Sequence, residues 1–150
     1  MMLTVGGINV SIAHFVELGG VFESLHGHNL VLSAQVEGKP DTGLVMDFRA
    51  LEKLLRDVAS LIDHRLIIPR DNRNLRIAKR EGMLEIRTPS KRYLIPETDV
   101  ILLPMTNSTV EEIARFVYEE VSMRLPPTVK LESVSVGERE GKTATFGPNP

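Results

Sequence analysis

Two alternating stretches, each meeting a histidine, constrain this chain more than anything else in it. In the first, Ile8, Val10 and Ile12 share parity with His14. In the second, His28, Leu30, Leu32, Ala34 and Val36 fall on one parity, with Asn29, Ser33, Gln35 and Glu37 among the residues between and around them. Period-two alternation is the signature of a half-buried strand. Gly6-Gly7 interrupts the first stretch and predicts a bulge there. The Gly19-Gly20 loop would join the two strands as a hairpin, so that His14 and His28 each end an apolar face.

The second strand opens with His26-Gly27-His28. In extended backbone both imidazoles of a His-x-His pair lie on one face. A third imidazole from the neighbouring strand, His14, would complete a three-nitrogen zinc site with one position open. That is the arrangement of a catalytic zinc rather than a structural one. The alternative is three half-buried or surface histidines, and the spacing does not by itself name the metal.

The rest of the chain reads as α+β in the coarse order β-β-α-(β-β)-α-β-β. Lys39-Pro40-Asp41-Thr42-Gly43 is a turn by composition. Asp47 is placed to cap a helix carrying Phe48, Leu51, Leu54, Leu55, Val58, Leu61 and Ile62, which is expected to end near Asp63-His64. Residues 65–81 read as basic and irregular. Short strands are predicted at Met83–Arg87, Arg92–Ile95 and Val100–Leu103. A capping box at Ser108-Thr109-Val110-Glu111-Glu112 opens a second helix with the stripe Val110, Ile113, Ala114, Val117 and Val121, ended by Pro126-Pro127. Residues 128–138 alternate again, and Thr143–Phe146 is a last strand. Helices on one face of an antiparallel sheet satisfy this order, and one domain over residues 1–150 is expected.

Composition excludes more than it selects. The chain has no cysteine, so disulfides, thiolate ligands and a cysteine nucleophile are absent. A net charge of -2 does not point to nucleic acid or an anionic membrane. The start MMLTVGGINV lacks the basic and apolar segments of a leader, and no apolar run suits a membrane span. A cytoplasmic protein is the expectation.

Other candidates carry two readings each. Asp63-His64 is either a carboxylate–imidazole proton-transfer pair or polar surface at a helix end. Glu23, three residues before His26, is either a general acid/base beside a metal or a solvated loop residue. Glu138 shares the apolar parity of Val134 and Val136 and needs a partner, either a ligand with two adjacent N–H donors or an arginine such as Arg139 of another subunit. Arg65, Arg70, Arg73, Arg76, Lys79, Arg80 and Arg92 form a basic stretch that is either solvated surface or a phosphate holder.

Ala13-His14-Phe15, Leu25-His26-Gly27-His28-Asn29, Gly43-Leu44-Val45-Met46-Asp47-Phe48, Leu61-Ile62-Asp63-His64-Arg65-Leu66, Thr109-Val110-Glu111-Glu112-Ile113-Ala114 and Val134-Ser135-Val136-Gly137-Glu138 occur in that order. Through them the chain resembles the 6-pyruvoyltetrahydropterin synthase / 6-carboxytetrahydropterin synthase family. The resemblance implies the T-fold, a β-β-α-α-β-β unit whose sheets join as a barrel in a trimer, with two trimers stacked as a homo-hexamer and sites between subunits. It implies Zn2+ on His14, His26 and His28, a proton relay at Asp63 and His64, and a pterin anchor at Glu138. Thr109 and Glu111 fall on the family's substrate-binding segment.

Family members that make 6-pyruvoyl or 6-carboxy pterins carry a cysteine a few residues before the His-Gly-His. Here Gly20, Val21 and Phe22 stand in that region, and Glu23 gives Glu-x-x-His-Gly-His. That resembles the subgroup that replaces the cysteine with glutamate. It implies a zinc-dependent lyase with Glu23, Asp63 and His64 catalytic, cleaving the side chain of 7,8-dihydroneopterin triphosphate to 6-hydroxymethyl-7,8-dihydropterin, a folate precursor. The alternatives are 6-pyruvoyl or 6-carboxy chemistry, a substrate such as dihydroneopterin or its monophosphate, and a non-catalytic pterin- or purine-binding protein.

Overall fold

The computed structural model describes residues 1–138 and 141–148; Arg139, named above as a partner for Glu138, lies outside them. In chain order the elements begin with strands β1 (Met2–His14), β2 (Glu17–Leu18), β3 (Val21–Phe22) and β4 (His26–Gly38). Helix α1 (Phe48–Ala59) follows, then strands β5 (Arg65–Pro69), β6 (Arg76–Arg80), β7 (Met83–Arg87), β8 (Arg92–Pro96) and β9 (Val100–Leu103). Helix α2 (Val110–Arg124) and strands β10 (Val129–Gly137) and β11 (Thr143–Phe146) complete the order. Two compact units result. One comprises Met1–Val10, Asn29–Leu61 and Val110–Pro150, the other Ser11–His28 and Ile62–Thr109, so the chains of β1 and β4 run through both.

The first unit holds the β-β-α-α-β-β frame. Its strands lie in the order β11-β10-β4-β1. Strand β10 is antiparallel to β4, with Val134 opposite Ala34 and Val136 opposite Leu32, and all four side chains are buried. Helix α2 packs on β10 and β11 and against α1. Asp47 caps α1, its Oδ1 accepting the Arg49 N–H at 2.8 Å, and Leu51, Leu55 and Val58 form the buried stripe.

Two expectations for α1 change. Phe48 is exposed, outside the stripe. The helix ends at Ala59 rather than near Asp63-His64, because the chain turns at residues 60–64 to enter β5, while Ile62 still fills a core position from that turn.

The bulge at Gly6-Gly7 is present. Gly7 has φ +73°, and the inward parity moves from Leu3 and Val5 before it to Ile8 and Val10 after it. One residue of slip exchanges the faces of a strand, so this glycine decides which side the rest of β1 presents.

In the second unit the last residues of β1 pair in parallel with β5, Ile12 opposite Arg65 and Ala13 opposite Leu66. Strand β9 is parallel to β5. Residues 65–81, read as irregular, contain β5 and β6. Leu66, Ile67 and Ile68 are all buried, which is the continuous apolar run of a parallel strand covered on both faces. Strands β6, β7 and β8 form an antiparallel meander. Its inner face joins Phe15, Leu66, Ile68, Leu75, Leu84, Ile86 and Val100 in one apolar cluster. Phe15 stacks on Tyr93 at a centroid distance of 5.0 Å and meets Phe22 edge-on at 5.8 Å. Among the described residues no helix is long and apolar enough to cross a membrane.

Leu55 is fully buried on α1. Leu55→Ala should cost about 2–5 kcal/mol of stability, read as a lower urea midpoint at an unchanged denaturant slope.

Candidate active site

His14 ends the buried parity of β1, and His26 and His28 open β4 on one face. Gly27 between them lies in a close approach, since a Cβ there would stand 3.2 Å from the Ile12 carbonyl oxygen, tighter than ordinary contact. The three rings form a compact cluster. Centroids are 4.7 Å apart for His14–His26, 5.1 Å for His14–His28 and 4.9 Å for His26–His28, with interplanar angles of 68°, 89° and 87°. One nitrogen from each lies within 4.8 Å of the other two.

The backbone sets the tautomers. Nδ1 of His14 is 2.7 Å from the carbonyl oxygen of Ser108, and Nδ1 of His26 is 2.7 Å from that of Ser24. A carbonyl oxygen only accepts, so each Nδ1 carries the proton and donates. Each Nε2 is left with a lone pair. A ligating histidine held by a carbonyl through its other nitrogen is the usual outer support of a metal site. The donor set therefore fits a divalent ion that favours imidazole. Ser108 is itself buried, and its hydroxyl donates to the Phe15 carbonyl at 3.4 Å.

Glu23 is half-buried and tied to the chain that leaves β1. Its N–H donates to the Val16 carbonyl at 2.9 Å, and its Oε1 accepts the Val16 N–H at 3.3 Å. That reciprocal pair joins the residue two beyond His14 to the residue three before His26.

Asp63 and His64 are brought together, and both bind β1. Asp63 Oδ1 accepts the Ser11 N–H at 2.8 Å and faces His64 Nδ1 at 3.0 Å. The His64 N–H donates to the Ser11 carbonyl at 2.6 Å. The Ser11 amide holds the Asp63 carboxyl below the usual carboxylate range, and His64 adds to the effect against some burial. His64 does not cap a helix; it sits in a turn at φ +59° with its side chain 81% exposed.

Thr109 directly precedes α2, Glu111 is exposed in its first turn, and Glu138 is half-buried just after β10. The Glu138 N–H donates to the Lys142 carbonyl at 3.0 Å. The structure thus gathers His14, His26 and His28 in one cluster and Asp63 with His64 in another. Glu111 and Glu138 belong to the other unit.

The 6-pyruvoyl tetrahydropterin synthase family model matches residues 8–149, nearly the whole chain. The chain belongs to the 6-pyruvoyl tetrahydropterin synthase family. A Methanocaldococcus jannaschii protein provisionally named a 6-carboxy-5,6,7,8-tetrahydropterin synthase is 28% identical, over 97% of this chain and 96% of its own. The dihydroneopterin monophosphate aldolase of Pyrococcus furiosus is 31% identical, over 84% of this chain and 80% of its own. The solved 6-pyruvoyl tetrahydropterin synthase of Plasmodium vivax is 28% identical with a TM-score of 0.89, covering 100% of this chain and 98% of that one. Two further structures of that enzyme carry a catalytic glutamate changed to alanine or to cysteine.

The α+β class and the T-fold of the family follow for this chain, and it is an enzyme-family member of pterin chemistry. Sequence reasoning missed the supporting groups: the carbonyls of Ser24 and Ser108 and the amides of Ser11 and Val16. All are main-chain atoms, which leave no residue-type signal.

Because the folded state lowers the pKa of Asp63, its stabilisation is present above the carboxyl's unfolded pKa and is lost as pH falls through the lowered one. Asp63→Asn should therefore flatten the acid limb of a plot of urea midpoint against pH. An acid limb identical to wild type would remove the Asp63–Ser11 bond as its source.

Proposed function

We propose that this protein is a zinc-dependent lyase that cleaves the C1′–C2′ bond of 7,8-dihydroneopterin triphosphate, giving 6-hydroxymethyl-7,8-dihydropterin. The observation that carries the reading is a cysteine-free chain whose Glu23, three residues before His26, accepts through its carboxylate the N–H of Val16, two residues beyond His14. The catalytic glutamate of the Plasmodium vivax relative and the aldolase name of the Pyrococcus furiosus relative support it.

His14, His26 and His28 would hold zinc, which when bound supplies Lewis acidity toward the side-chain hydroxyls. Glu138 would accept from the pterin 2-amino group and N3–H, one oxygen to each. Thr109 and Glu111 would also bind substrate. Glu23 or the Asp63–His64 pair accepts the C2′ hydroxyl proton. The C1′–C2′ bond breaks, its electron pair entering the dihydropterin ring, and the other group returns a proton to C1′. The remaining fragment leaves as phosphorylated glycolaldehyde. With sites shared between subunits as the family resemblance implies, the active form is a homo-hexamer of two trimers.

A monophosphate substrate is the second reading, favoured by the Pyrococcus furiosus relative. The deciding experiment incubates zinc-loaded protein with the triphosphate and the monophosphate under anaerobic conditions and identifies the pterins by chromatography and mass. A 6-hydroxymethyl product is expected; a 6-pyruvoyl or 6-carboxy product overturns the reaction. Glu23→Ala should lower turnover about 10²–10⁴-fold while the zinc content stays at the wild-type value. Full activity in that variant would remove Glu23 from the proton transfers.

A further inference from the structure

The outer face of the β6-β7-β8 meander carries a charge arrangement that its own packing does not explain. Arg76 lies directly opposite Arg87, and Arg87 directly opposite Arg92, so register partners place three arginines in one row across three strands. Like charges directly opposite one another are unfavourable in a sheet. Glu85, two residues from Arg87 on the same face, answers part of the row. It is buried to 5% exposure and accepts from Arg87 Nε at 2.7 Å and from Arg92 Nη2 at 2.7 Å. Arg76 gains nothing from it; among the described residues neither Arg76 nor Arg73 makes an ion pair.

Arg73, Asn74, Arg76, Arg87, Thr88 and Pro89 line one open cavity of about 250 Å³, and no carboxylate is among them. The three guanidiniums form a donor set suited to phosphate oxygens, while Asn74 Nδ2 donates to Glu17 Oε2 at 3.0 Å and the Thr88 hydroxyl accepts the Ser90 and Lys91 N–H groups within its own turn. Guanidinium is the group that binds such oxygens two at a time.

The cavity is also connected to the histidine cluster within the same unit. Thr88 closes the β7–β8 turn, its N–H donating to the Lys91 carbonyl at 2.9 Å. Lys91 Nζ stands 3.4 Å from the hydroxyl of Ser24, whose carbonyl holds His26. Thus the turn that forms one wall of the basic cavity touches the loop between Glu23 and His26.

We infer that this cavity is an oligophosphate subsite, occupied by the phosphate chain of the pterin substrate. The inference rests on the reaction proposed above for the identity of that substrate, and on the arginine row alone for the anion.

Isothermal titration of the zinc-loaded protein with inorganic tripolyphosphate tests the anion site. Wild type should bind it, with affinity falling as salt is raised. The double variant R73Q/R76Q should bind about tenfold or more weakly, while K79Q, whose lysine pairs with Glu97 at 3.0 Å away from the cavity, should bind as wild type does. Both variants change exposed side chains, and matching melting curves will show that they fold. Equal tripolyphosphate binding by wild type and R73Q/R76Q overturns the site. In turnover of phosphorylated dihydroneopterin, R73Q/R76Q should show a raised KM with kcat retained; an unchanged KM overturns the assignment to substrate. Should wild type turn over no pterin, the reaction proposed above falls, and the titration still decides the anion site.

Discussion

The constraint on which the rest depends is the facing of β1 after Gly7. That residue's positive φ shifts the strand by one position, and from Ile8 onward even-numbered side chains point inward. His14 is the last of that series and reaches the interior because Ile8, Val10 and Ile12 do. Without the shift the buried stripe would have turned outward and carried the imidazole with it. The same stretch of β1 offers Ser11 to Asp63 and His64 and the Val16 amide to Glu23 just beyond it. One strand therefore indexes the three histidines, the glutamate and the acid–imidazole pair against a common backbone.

Within the second unit an apolar cluster begins at the residue after His14. Phe15 follows His14 and inserts between Phe22 and Tyr93, and the cluster continues into the meander through Leu84 and Ile86. The residue after His14 is thus held by ring contacts to Phe22 and Tyr93. Main-chain carbonyls then orient two of the three rings, and a backbone atom cannot be swapped by a side-chain mutation.

Much of this was legible in the sequence for a physical reason. Where one face of an element is buried and the other wet, composition alternates and the element shows; β4, β10 and α1 are such cases. Strand β5 has no wet face, so its run Leu66-Ile67-Ile68 gave no period and the basic residues around it dominated the reading. Strand β6 is the opposite case, an edge with Ile77 as its one large apolar side chain, where pairing is specified by β7 rather than by itself. The histidine cluster was legible because His-x-His on a strand has a single geometric meaning. The hydrogen bonds that tune it were not, because they come from atoms every residue possesses. The turn at residues 60–64 was hidden by Ile62, which keeps helical spacing after the helix has stopped.

The backbone of His64 has a consequence for how such a protein can be altered. A β-carbon in the left-handed region costs about 1–2 kcal/mol, and glycine or asparagine would relieve much of it. Directed evolution scored on heat resistance alone would therefore drift toward those residues at this turn. The selected proteins would survive hotter conditions and would have discarded the one imidazole outside the His14–His26–His28 cluster. A library for this scaffold should hold position 64 fixed, or carry a selection on chemistry beside the selection on endurance.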